Sequence, residues 1–144
     1  MTIAPRGKKR VVGIGGLFLK AHNPLKLSKW YSEHLGIKIT DNVALFTWSG
    51  PGRSRRKGHT VWSVFPANTR YFHNLRQQVM INYRVNNLKR LLEQLRKEGV
   101  KVANRVEESR YGKFGWVSDP EGNWMELWEP AKKYSASEKE IPME

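Results

Sequence analysis

Glu126 stands two residues from Trp124 and two from Trp128. In an extended segment all three side chains point to one side. A carboxyl buried between indoles is disfavoured as an anion, so its pKa rises toward the range of a general acid or base. Pairing with a basic residue as a purely structural carboxylate is the competing role. Lys20 and Arg84 are the cations placed for it, each three residues before an Asn that opens a helix. Two cations at one mouth would instead attract a carboxylate or phosphate; both could also extend to water at strand ends. The four histidines, His22, His34, His59 and His73, have no metal-motif spacing. Cysteine is absent, which excludes a disulfide framework, cysteine zinc sites and thiol catalysis.

These residues need a scaffold, and 144 residues suffice for one domain with a proper core. At 39% hydrophobic and 11% aromatic, the chain is too apolar for intrinsic disorder. No apolar run is long enough to span a membrane, and no signal-type apolar segment follows the basic start. The expected compartment is the cytoplasm. The net charge of +13 favours anionic partners, from small acids to nucleic acid. It concentrates at Arg6, Lys8, Lys9 and Arg10, and at Arg53, Arg55, Arg56 and Lys57 in a Gly- and Pro-flanked loop. Solvated loops and phosphate-binding arms both fit such clusters.

Two helices are expected, each opened by an Asn cap. Asn23 and Pro24 start the first, with Leu27, Trp30, Tyr31 and Leu35 as its apolar stripe and Gly36 as its stop. Asn87 starts the second, in which Leu88, Leu91, Leu92 and Leu95 repeat at i, i+3, i+4, i+7 before Gly99. Residues 11–20 and 78–85 read as strands leading into the caps. Strand-like pieces follow at 37–40, 43–48 and 59–65, and again at 100–106, 113–118 and 123–128. The order βαβββ thus occurs twice, with the caps 64 residues apart. The expectation is an α+β fold: two tandem βαβββ modules forming curved mixed sheets around a cup. Residues 1–10 form a basic arm and 11–130 one domain (module one 11–65, link 66–77, module two 78–130). Residues 131–144 form a loosely ordered tail. Strand parity turns Leu17, Leu19, Ile81, Tyr83 and Val85 toward the helices. It turns Gly16, Phe18 and Lys20 into the cup, together with Met80, Asn82 and Arg84. His59, Val61, Ser63 and Phe65 share one parity, as do Trp124, Glu126 and Trp128. Such a lining, apolar with a few polar groups, suits a small molecule. The tryptophans fit either ligand stacking or core filling. Gly16 fits either close ligand approach or tight strand packing.

The stretches GIGGLFLKAHNPLKLSKWYSEHLGI, QVMINYRVNNLKRLLEQLRKEGVKV and YGKFGWVSDPEGNWMELWEP resemble the vicinal oxygen chelate superfamily, the glyoxalase, bleomycin-resistance and extradiol-dioxygenase group. The resemblance spans about residues 11–130 and is most specific at DPEGNWMELWEP. It implies the glyoxalase/bleomycin-resistance-like fold and a homodimer. It also implies four metal-ligand positions, which here hold Gly16, Ser63, Met80 and Glu126. One ligand in four cannot hold a dication, so no metal cofactor is expected unless His59 is recruited. Three functions follow. The first is a metal-independent lyase or isomerase acting on a small anionic or aromatic molecule through Glu126. The second is a resistance-type protein that sequesters such a molecule, and the third a nucleic-acid-associated protein. The glyoxalase reaction itself is disfavoured without a metal to polarise the substrate oxygen.

Overall fold

Asn23 and Asn87 cap their helices as their residue type dictates. Their side-chain oxygens accept from the backbone N–H of Lys26 at 3.0 Å and of Arg90 at 3.3 Å. The computed structural model describes residues 4–49 and 57–132. These form β1 (Val11–Ala21), α1 (Pro24–Leu35), β2 (Val43–Ser49), β3 (Lys57–Pro66) and β4 (Val79–Val85), then α2 (Leu88–Lys97), β5 (Lys101–Ser109), β6 (Gly112–Ser118) and β7 (Trp124–Pro130).

All seven strands join one open sheet in the order β2-β3-β1-β4-β7-β6-β5. The repeat is visible in the pairing. β1 runs parallel to β3 and β4 parallel to β7, while β1 and β4 meet antiparallel at the centre. One expected strand is missing. Residues 37–40 contribute only an isolated bridge, Thr40 to Val43. The intervening Asp41 and Asn42 both have positive φ, 51° and 64°, a tight turn that ends the pairing at once. Ile37 and Ile39 satisfy their apolar character differently, by packing beside α1.

The convex face carries the helices, and parity there is as expected. Leu88, Leu91 and Leu92 of α2 pack on Val85, Val117 and Leu127. Beneath α1, Leu27 and Tyr31 join Leu17, Leu19 and Trp62, and the Tyr31 and Trp62 rings meet edge to face at 5.1 Å. The expected α1 stripe is only half right, because Trp30 is 50% and Leu35 61% exposed. The helix approaches the sheet through Ser28, whose hydroxyl donates to Asn42 Oδ1 at 2.7 Å. In helical projection Trp30 lies on the far side of Leu27 from Ser28, and so it flanks the contact.

The arm before β1 is anchored at its end. Arg10 donates to both Glu98 carboxylate oxygens, at 3.1 and 2.9 Å, and its Nε reaches the Ala4 carbonyl at 3.0 Å. Arg53, Arg55 and Arg56 lie outside the described residues, as does the tail from residue 133. Among the described residues no helix is long and apolar enough to cross a membrane.

Candidate functional site

The concave face is not an empty cup. The segment joining the modules, residues 67–78, crosses it and fills one half. Phe72, fully buried, packs with Phe18, Met80 and Trp116. His73, at φ 62°, stacks on Trp124 at 5.0 Å and lies 5.3 Å from Trp116. Gln77 fastens the crossing to β7. Its Nε2 donates to the Trp124 carbonyl at 2.7 Å, and its Oε1 accepts from the Trp124 N–H at 2.8 Å.

This crossing decides which expected residues reach a ligand. Lys20 does not: its ammonium donates to the carbonyls of Asn74 and Leu75, at 3.0 and 3.1 Å, and lies 5.0 Å over the Phe72 ring. Met80 lies in the same core as Phe72 and is 0% exposed, while Trp124 serves as the platform for His73. Arg84 is buried, its guanidinium 5.2 Å over the Trp128 indole, and burial lowers its pKa. The cationic mouth expected from Lys20 and Arg84 is therefore not formed. His59 keeps the parity of Ser63 but faces Thr47 of β2, Nδ1 to Oγ1 at 3.3 Å, with Nε2 buried and unpartnered among the described residues.

In the other half a cavity of about 470 Å³ remains open. Phe18, Ser63, Asn82, Glu126 and Trp128 line it, as parity predicts. Gly15 lines it where Gly16 was expected. A bulge between Ile14 and Gly16 leaves Gly15 as an extra residue against β4. A Cβ on Gly15 would come within 2.3 Å of Asn82 Oδ1, so glycine here serves close side-chain packing. Gly15→Ala is expected to displace the buried Asn82 and cost about 1–3 kcal/mol. It should also raise the Glu126 pKa further by removing a donor. Thermal unfolding and a pH titration of Trp fluorescence check both effects.

Glu126 is 1% exposed at the cavity floor. Asn82 Nδ2 donates to its Oε1 at 2.5 Å and the Tyr71 hydroxyl to its Oε2. Desolvation pushes its carboxyl up to about 7, opposed by those two donors and more weakly by the Trp116 indole N–H, which completes no hydrogen bond among the described residues. The negative charge of Glu107 adds to the rise. Burial and the neighbouring Glu126 push the Tyr71 phenol upward, so it stays protonated.

Tyr71, Phe114 and Glu107 also line the cavity and escape the sequence reading. Phe114 shares the parity of Trp116 and stacks on Trp128 at 5.7 Å, a period-two signal that was present. Glu107 shares a face of the edge strand β5 with Arg105, its ion-pair partner. Tyr71 has no periodic signal, because it sits in a connection.

A dication does not fit this floor. The side chains that meet the Glu126 carboxylate are Asn82 and Tyr71, an amide and a phenol where a dication site would call for further imidazoles or carboxylates, and Glu107 and Glu108 stand elsewhere on the cavity wall. No group of three or more His, Cys, Asp or Glu suited to a metal occurs among the described residues.

Two repeated halves sharing one open sheet, with a carboxylate on the floor of its concave face, define a glyoxalase-type α+β fold. The family model for the Glyoxalase/Bleomycin resistance protein/Dioxygenase superfamily matches residues 21–127, and the chain belongs to that superfamily. Its fold is similar to methylmalonyl-CoA epimerase from Mycobacterium tuberculosis, at 19% identity and TM-score 0.54, covering 91% of this chain and 96% of that one. A Streptomyces coelicolor methylmalonyl-CoA epimerase variant in complex with 2-nitronate-propionyl-CoA aligns at 14% identity and TM-score 0.58, over 84% and 99%. A structure named as an NAD-dependent benzaldehyde dehydrogenase from Legionella pneumophila aligns at 11% and 0.53, over 81% and 98%. At these identities the likeness concerns the fold. No curated protein matches the chain.

Proposed function

We propose that the chain binds a small aromatic carbonyl compound in the cavity and moves a proton on it with Glu126. This is a lyase- or isomerase-type step that uses no metal. One observation carries the reading: a buried carboxyl, pushed up to about 7, forms the floor of an aromatic-lined cavity. Such a group exchanges a proton near neutral pH in either direction. The lining favours an aromatic ligand over the anionic one that the net charge suggested. Lys20 and Arg84 are turned to other work, while Glu107 and Glu108 border the cavity. Stacking surfaces come from Phe114 and Trp128.

The test is incubation with aromatic ketones and aldehydes in deuterium oxide, with loss of the carbon-bound proton followed by NMR. Enzyme-dependent exchange is expected for at least one compound that quenches Trp fluorescence. Quenching with no exchange across the panel would reject the proton-transfer reading. It would favour the sequestering protein, which the parallel Phe114 and Trp128 rings also suit. The homodimer implied by the family is a further proposal, tested by sedimentation.

A further inference from the structure

Removing a proton from carbon next to a carbonyl leaves negative charge on the carbonyl oxygen, and something must receive it. The donor set around Glu126 does not fit a metal ion, so the charge has to meet neutral donors. We propose that Tyr71 is a second catalytic group, whose hydroxyl turns its hydrogen bond from the Glu126 carboxylate to the substrate oxygen as charge moves between them. This rests on the reading that Glu126 removes the proton.

The electron count closes without a co-reactant. The substrate C–H bond breaks and its proton forms an O–H bond on Glu126. The C–H electron pair becomes a carbon–carbon double bond, and the carbonyl π pair moves onto oxygen. Before the step the anion is Glu126, which holds the Tyr71 hydrogen bond on Oε2. After it Glu126 is neutral and the substrate oxygen is the anion. A phenol serves both states by rotating one hydrogen about its C–O bond. No heavy atom has to travel, and none is free to. The Tyr71 ring stacks on Phe65 at 5.4 Å and 16°, and meets Trp116 edge-on at 5.8 Å and Phe18 at 6.4 Å.

The phenol also holds its own proton. It is half-buried and faces the carboxylates of Glu126 and Glu107, with Arg105, the ion-pair partner of Glu107, the one cation among the described residues that opposes them. It therefore donates a hydrogen bond without becoming a phenolate, as an oxyanion donor must. Asn82 on β4 and the Trp116 indole on β6 complete the polar groups around Glu126. Asn82 comes from a central strand, whereas Tyr71 comes from the crossing segment. The reaction centre is thus assembled by a connection between the modules.

The experiment uses 4-nitrophenolate as an aromatic oxyanion and Glu126→Gln as the isostere of the protonated acid. Binding is followed by the nitrophenolate absorbance. Glu126→Gln should bind the phenolate at least tenfold more tightly than wild type. Adding Tyr71→Phe should remove at least tenfold, while neutral 4-nitroanisole binds alike throughout. Equal phenolate affinity with and without the Tyr71 hydroxyl would overturn the proposal. If Tyr71→Phe disturbs the fold by near-ultraviolet circular dichroism, a fluorinated tyrosine at position 71 keeps the ring and strengthens the donor. Tighter phenolate binding is then expected, and unchanged binding would overturn the proposal equally. In the exchange assay Tyr71→Phe should lower the plateau rate by roughly 10²–10³-fold. A group that only positions Glu126 would move the pH midpoint and spare the plateau. The expected phenolate pattern across the variants, with no carbon-bound proton exchanged by wild type, would remove the proton-transfer reading and with it the catalytic role of Tyr71, leaving only its hydrogen bond to a bound oxyanion.

Discussion

Glu126→Gln should abolish proton exchange, by about 10²–10⁴-fold, while leaving the binding of neutral ligands and the fold intact. Gln keeps the size of Glu and an oxygen to accept from Asn82, so the cavity floor survives. It cannot take a proton from carbon. The wild-type rate should rise with pH through a midpoint at about 7, because the base is the ionised form. In the variant that midpoint should vanish. Stability should move the other way. The folded carboxyl is raised from 4.5 to about 7, so between those values the native state binds more protons than the unfolded chain. Stability contributed by the neutral acid is full below pH 4.5 and lost as pH rises through about 7. The loss is about 3 kcal/mol, at 1.36 kcal/mol per unit. Above neutrality Glu126→Gln should therefore be more stable than wild type. Denaturant unfolding at several pH values checks this, and a variant that is less stable at every pH would refute it.

Phe72→Ala should cost about 3–5 kcal/mol, at the upper end of what a single core truncation costs. Phe72 is fully buried beneath the crossing segment and touches both halves of the sheet through Phe18 on β1 and Trp116 on β6. Its removal leaves a cavity that the close-packed rings around it cannot fill. The melting temperature should fall by roughly 10 °C or more. The function should suffer as well, because Tyr71 is the adjacent residue and loses its anchor. The expected signature is a lowered exchange plateau and a fluorescence change at Trp116 and Trp124. A variant that melts like wild type would mean that the crossing is held by Lys20 and Gln77 alone.

The sequence carried the architecture because its signals are local. An Asn cap, a leucine stripe and a glycine stop are decided within one helix, and their recurrence 64 residues on exposes the repeat. Period-two alternation likewise placed Phe18, Ser63, Asn82, Glu126 and Trp128 on the concave face, where they line the cavity. The same parity also selected Lys20, Met80 and Trp124, which do not line it. Parity tells which face a residue points to, but nothing about what else lies on that face.

That second fact is tertiary. The segment 67–78 has no periodicity, so its path could not be read, yet it covers half of the concave surface. It converts Lys20 from a ligand-binding cation into a clamp on two carbonyls, and Met80 and Trp124 into core. It also delivers Tyr71 to Glu126. The bulge that exchanges Gly16 for Gly15 is similar, since an extra residue in one strand exists only relative to its partner. By itself, then, the sequence determined the two-module α+β sheet and the burial-prone carboxylate between two tryptophans. Only the tertiary structure decided which half of the cup stays open and which donors meet that carboxylate. The physical reason is that a connection's position depends on the whole surface it can cover, whereas strands and helices are specified by their own period.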